Sequence, residues 1–159
     1  MPTSEPSSKS PSTSISDRPS KEARRLACHI ARLMDDSNCE RVRVLNLAGI
    51  SPVTDLFVIA TGTSDRQMSS VLDDVIELAV EEGFGKGVSD GQSGGGWVVV
   101  DFFDVMVHLF TEQMRAYYDL ESLWGDAQDV DWRSVTKPGR FAHVSAEQSH
   151  RLGYGPEVK

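Results

Sequence analysis

The chain has 159 residues, 39% hydrophobic and 25% charged, which suits one domain with a real core and is short for two. No apolar run approaches the roughly 20 residues that cross a bilayer, and the opening MPTSEPSSKSPSTSISDRPS has neither the apolar segment of a secretion signal nor the amphipathic period of an import sequence. A cytoplasmic location is therefore the expectation. The net charge of −8 falls within residues 23–124, because acids and bases cancel in residues 1–22 and 125–159. Such a domain does not bind nucleic acid through its general field and accommodates a basic protein partner more readily, although an acidic surface also serves solubility alone.

Residues 1–19 are dominated by Ser, Pro, Thr and charged side chains, too little apolar surface to order a segment, and are expected to form a disordered tail. From Ser20 the apolar residues Ala23, Leu26, Ala27, Ile30, Ala31 and Met34 recur at helical spacing, with Arg24, Arg25 and Arg32 among the residues opposite. His29 falls beside that stripe and is expected at the surface or its boundary. Arg41 to Leu47 alternates with period two, with Val42, Val44 and Asn46 on one side and Arg41, Arg43, Leu45 and Leu47 on the other, which predicts a half-exposed strand. Leu56 to Ala60 is a continuous apolar run, as in a strand buried on both faces, and marks the centre of the sheet.

Ser64-Asp65-Arg66-Gln67 has the form of a capping box, with the Ser64 hydroxyl on the Gln67 amide and the Gln67 side chain returning to Ser64. The helix it opens carries the stripe Met68, Val71, Leu72, Val75, Leu78 and Ala79. Gly83 to Gly96 has the glycine content of a loop and delivers the chain to Trp97.

Trp97 to Phe102 and Val105 to Phe110 are β-branched and aromatic segments on either side of Phe103-Asp104, which predicts a hairpin with a turn of about two residues. Phe102 then faces Val105, Val100 faces Val107 and Val98 faces Leu109, a wholly apolar face suited to a core. The other face pairs Trp97 with Phe110, Val99 with His108 and Asp101 with Met106, an apolar surface with one acid and one imidazole set into it. Thr111 caps a third helix whose apolar side is drawn from Met114, Tyr117 or Tyr118, Leu120, Leu123 and Trp124. The compact domain is assigned to residues 20–125. Residues 126–159 read as a polar, flexible tail in which Trp132 and Phe141 are candidate anchors.

Catalytic and ligand chemistry lacks a convincing constellation. Two cysteines and four histidines show no metal-ligand spacing, and no metal or other cofactor is expected. The helix N-terminus at Ser64 has free amides for an anion, but Asp65 opposes one and Ser64 and Gln67 use the amides themselves. Asp73 and Asp74 diverge on a helix, while Asp101 and Asp104 straddle a turn.

Two stretches taken together, SPVTDLFVIATGTSDRQ at Ser51–Gln67 and GWVVVDFFDVMVHLFTEQMRAYYDLESLW at Gly96–Trp124, resemble the ribosomal silencing factor (RsfS, Iojap-like) family. The resemblance covers about residues 20–125 and implies an α+β domain with a mixed sheet packed with helices, similar to the nucleotidyltransferase fold. It implies a non-enzymatic translation repressor that binds protein number fourteen of the large ribosomal subunit, blocks subunit association when nutrients fail and forms a homodimer. No membrane and no sequence-specific nucleic acid is implied as a partner. The partner-binding residues expected on this basis are Trp97, Val99, Asp101, Met106, His108 and Phe110. A degenerate nucleotidyltransferase acting on a nucleotide or RNA is the alternative, against which Asp73-Asp74 does not make the metal site such enzymes need. Leu56 stands where many members have Tyr. Phe103 stands where Gly is frequent, at a position where a left-handed turn would suit Gly far better.

Overall fold

Helix α1 (Lys21–Asp36) begins where the Ser20 hydroxyl accepts the Ala23 amide at 3.0 Å, satisfying a donor that the first turn leaves free. In this computed structural model, which describes residues 19–90 and 95–135, the expected stripe of α1 is fully buried at Ala23, Leu26, Ala27, Ile30, Ala31 and Met34. His29 is buried as well, contrary to the expected surface position. Its Nδ1 lies 2.5 Å from Glu82 Oε2, just beyond the second helix, so a polar partner distant in sequence allows the imidazole inside.

Strand β1 (Glu40–Asn46) runs antiparallel to β2 (Leu56–Thr61). The alternation of β1 sends Val42 and Val44 to the helix side, and Leu45 and the following Leu47 to the opposite side. All six residues of β2 are buried, as its unbroken apolar run requires. Helix α2 (Asp65–Glu81) follows, with Ser64 Oγ accepting the Gln67 amide at 3.0 Å. The reciprocal bond differs from the expected box. Gln67 Oε1 accepts the amide of Thr63, at 2.7 Å, and its Nε2 donates to the Ser37 carbonyl at 2.9 Å. The side chain thus reaches one residue further back and joins the start of α2 to the end of α1.

The segment expected as loop contains β3 (Val88–Asp90), whose three residues are too few and too polar to show a strand period. β3 pairs antiparallel with β4 (Trp97–Asp101), and β4 with β5 (Val105–Phe110). The predicted register holds throughout: Trp97 opposes Phe110, Val98 Leu109, Val99 His108, Val100 Val107 and Asp101 Met106. β5 lies parallel to β2. The six-stranded order is β3-β4-β5-β2-β1-β6, so the sheet is mixed and β2 and β5 occupy its middle.

The expected third helix is two. α3 (Glu112–Tyr118), capped by Thr111 Oγ1 on the Met114 amide at 3.3 Å, stops at Asp119, whose φ of 47° is left-handed. α4 (Leu120–Leu123) follows directly after that residue. Asp tolerates that conformation better than most residues. Leu123, expected on the apolar side, is 73% exposed.

The sheet continues past the expected boundary at 125. β6 (Gln128–Asp129) pairs with β1, the Val130 amide donates to the Val44 carbonyl, and the buried Trp132 donates from Nε1 to the Val42 carbonyl at 3.2 Å. Trp132 is the anchor the sequence suggested. Phe141 and residues 1–18 of the expected tail at 1–19 lie outside the described residues, as do residues 91–94 of the glycine-rich loop.

Candidate docking surface

Period-two alternation divides the sheet's side chains between two apolar clusters. Val98, Val100, Phe102, Val105, Val107 and Leu109 pack with α1 and α2. On the opposite face Leu45, Leu47, Phe57, Ile59 and Phe110 form a smaller core, covered by Met114 of α3, Leu120 of α4, Trp124 and Ala127. That cover is short. Because α3 and α4 together span so few residues, Val99, Asp101 and Met106 at the β4 side are left half-exposed.

Trp97 sits at the border between covered and open. Its ring stacks on Phe110 with centroids 5.1 Å apart, and Tyr118 from the last turn of α3 lies 4.4 Å from it. Tyr117 continues the aromatic row at 5.0 Å from Tyr118 and is itself 75% exposed. Below Trp97, its Nε1–H donates to His108 Nδ1 at 3.2 Å. An acceptor at Nδ1 requires the neutral ring to carry its hydrogen on Nε2, and Nε2 is buried without a hydrogen-bond partner among the described residues. Burial pushes the His108 pKa down from the ordinary 6.5 to about 4, so the ring is neutral at pH 7.

Of the six residues expected to touch a partner, the structure brings all six onto one face but exposes four. Trp97, Val99, Asp101 and Met106 are half-exposed, whereas Phe110 is fully buried and His108 nearly so. Those two lie beneath the surface that the other four present. Phe110 carries Trp97 from beneath, and His108 orients its indole. The reason is the cover that α3 draws over this end of the sheet, which strand alternation alone does not show.

The hairpin end adds negative charge. Phe103 has a φ of 74° and is 75% exposed, and Asp101 Oδ1 accepts its amide at 2.8 Å. The Asp55 amide donates to the Asp104 carbonyl at 3.2 Å, which brings the loop before β2 against the turn. Burial, and then the neighbouring Asp104 charge, raise the Asp55 carboxyl above its ordinary range. Sequence reasoning missed Tyr117, Phe103 and Asp55. The sequence leaves Tyr117 and Tyr118 as alternatives for the packed helix side, and Asp55 is joined to Asp104 only by the parallel pairing of β2 with β5.

Other chemistry remains unsupported. No three His, Cys, Asp or Glu side chains gather as metal ligands among the described residues, and no described helix is long and apolar enough to cross a membrane. Cys28 and Cys39 are both buried. Burial, followed by Asp35 and Glu40, pushes the Cys39 thiol up to about 12, far from a reactive thiolate.

A mixed sheet with two helices on one face and a half-covered, acid-bordered apolar surface on the other defines an α+β domain. Residues 20–152 match the family described as "Ribosomal silencing factor during starvation", and the chain belongs to that family. It is 39% identical over 102 residues to a ribosomal silencing factor of Halalkalibacterium halodurans, a match covering 64% of this chain and 87% of the relative. The corresponding Bacillus subtilis protein is 40% identical over 101 residues, covering 64% and 86%. A crystal structure of a Bacillus halodurans protein superposes with a TM-score of 0.58 at 35% identity, covering 70% of this chain and 99% of that one. A Chromobacterium violaceum structure gives 0.61 at 29%, covering 65% and 86%.

Proposed function

We propose that the chain represses translation by binding protein number fourteen of the large ribosomal subunit and standing in the way of subunit association under nutrient limitation. The observation that carries this reading is the half-open face of Trp97, Val99, Asp101 and Met106, bordered by the aromatic row of Tyr118 and Tyr117 and by acids at the hairpin end. An aromatic anchor beside aliphatic surface supplies the apolar centre of an interface. Asp101, Asp55 and Asp104 suit a basic partner, as does the charge of −8. Names of the relatives support a ribosomal role. Such a protein acts by occupying a surface and needs no catalytic group or cofactor. It works in the cytoplasm, and a homodimer built through the same face would compete with docking.

Val99→Arg tests this reading while keeping the Trp97, His108 and Phe110 side chains themselves. Val99 is half-exposed in the middle of β4, so a long side chain can reach solvent while opposing a basic partner. The folded variant is expected to lose co-sedimentation with purified large subunits. Wild-type co-sedimentation by that variant would remove this face from the interface.

A further inference from the structure

The proposed docking face is bordered by acids, whereas the helix on the other side of the sheet carries a row of basic residues. Lys21, Arg24, Arg25 and Arg32 follow one another at spacings of three, one and seven residues, which keeps them on one side of α1. Lys21, Arg24 and Arg25 are exposed. Among the described residues the arginine ion pairs are made elsewhere, by Arg41, Arg43 and Arg115 with Glu112, Glu121 and Asp129. The carboxy-terminal segment brings a fifth base to the same place. Arg32 Nη1 donates to the Arg133 carbonyl at 2.7 Å, and the exposed Arg133 holds its guanidinium 4.2 Å above the ring of the buried Trp132.

Three of these bases, Lys21, Arg24 and Arg25, stand near the N-terminus of the helix. The N-terminal end of a helix is the positive end of its dipole and favours acids. Lys21 also faces like charge at Arg24 and Arg25, three and four residues on, an arrangement that destabilises a helix. A chain with net charge −8 needs no cations for solubility. Among the described residues five bases stand there with four acids, Glu22, Asp35, Asp36 and Asp131, the last of which accepts the Arg133 amide at 3.2 Å.

We propose that Lys21, Arg24, Arg25 and Arg133 form a sequence-independent binding surface for the phosphodiester backbone of structured RNA, on the side of the molecule opposite the protein-docking face. Guanidinium groups suit phosphate because their forked donors match its oxygens. Lys21 to Arg32 spans about 16 Å of helix, long enough to follow several phosphates. The choice of RNA over another polyanion rests on the ribosomal reading above. Acidic and basic faces on opposite sides of one sheet would let the chain engage a basic protein and neighbouring RNA together.

Fluorescence anisotropy of the full chain with a labelled RNA duplex of arbitrary sequence tests the proposal. Binding is expected at 50 mM salt and, for three neutralised phosphates, should weaken about 40-fold by 200 mM. The triple variant Lys21→Ala, Arg24→Ala, Arg25→Ala removes only exposed side chains, so its thermal unfolding should stay the same or rise while RNA binding falls at least tenfold. Wild-type RNA affinity in the triple variant overturns the assignment, as does absence of duplex binding by the wild type. A poly-glutamate peptide that binds as tightly as the duplex and is lost in the same variant also overturns it, in favour of an acidic protein. Because the duplex assay contains no ribosome, its failure leaves the Val99→Arg result standing, and the reverse holds too.

Discussion

Trp97 and His108, eleven residues apart in sequence, meet across the β4–β5 pair with the indole N–H donating to the imidazole at 3.2 Å. The bond makes the buried histidine a fixed acceptor that sets the angle of the half-exposed tryptophan, the best-placed anchor of the proposed docking face.

A neutral buried histidine makes stability depend on pH. The folded pKa of about 4 lies below the ordinary 6.5, so between those values the unfolded chain binds a proton that the folded chain refuses. Stability is therefore lost as pH falls through that window and levels out below about 4. Urea unfolding at pH 7.5 and pH 4.5 should show the wild type losing about 2–3 kcal/mol more than His108→Gln. Equal losses in the two proteins would show that His108 is not held neutral.

Arg115 is 4% exposed and joins three elements, donating to the Arg41 carbonyl at 2.7 Å, Thr61 Oγ1 at 3.0 Å and Glu121 Oε2 at 2.6 Å. Arg115→Ala strands those acceptors, although Glu121 keeps Arg43 and some solvent. A loss of about 2–3 kcal/mol in denaturant unfolding is expected. Arg115→Lys should recover less than half of it, because an ammonium group cannot reproduce the fork.

Phe103 occupies the left-handed region with its side chain 75% exposed. Little packing offsets the backbone strain. Phe103→Gly should relieve it and raise stability by about 0.5–1 kcal/mol after glycine's larger unfolded-state entropy is counted. Thermal unfolding checks this, and a lower Tm would mean that the phenyl ring packs more than its exposure shows.

Trp132→Ala should cost about 3–5 kcal/mol, since the ring is 4% exposed and its N–H is paired to Val42. Ending the chain at residue 125 should destabilise the domain at least as much, because Val130 is lost from the core as well. Unchanged unfolding of the shortened chain would restore the boundary that composition suggested.

The sequence by itself determined the sheet's central features. Apolar alternation has a period of two, so the run from Trp97 to Phe110 specified its own register and both of its faces. The unbroken apolar run of β2 marked the middle strand, and Ser20, Ser64 and Thr111 marked three helix starts through local hydroxyl-to-amide bonds. Tertiary structure alone decided how much of the second face stays open. A left-handed residue at Asp119 ends α3, Tyr118 falls onto Trp97, and His108 and Phe110 disappear beneath them. It also joined residues beyond 125 to the sheet, because Trp132 finds its partner 90 residues away in β1. Contacts of that kind rest on a few side chains meeting across long separations, and they leave no period in the sequence to read.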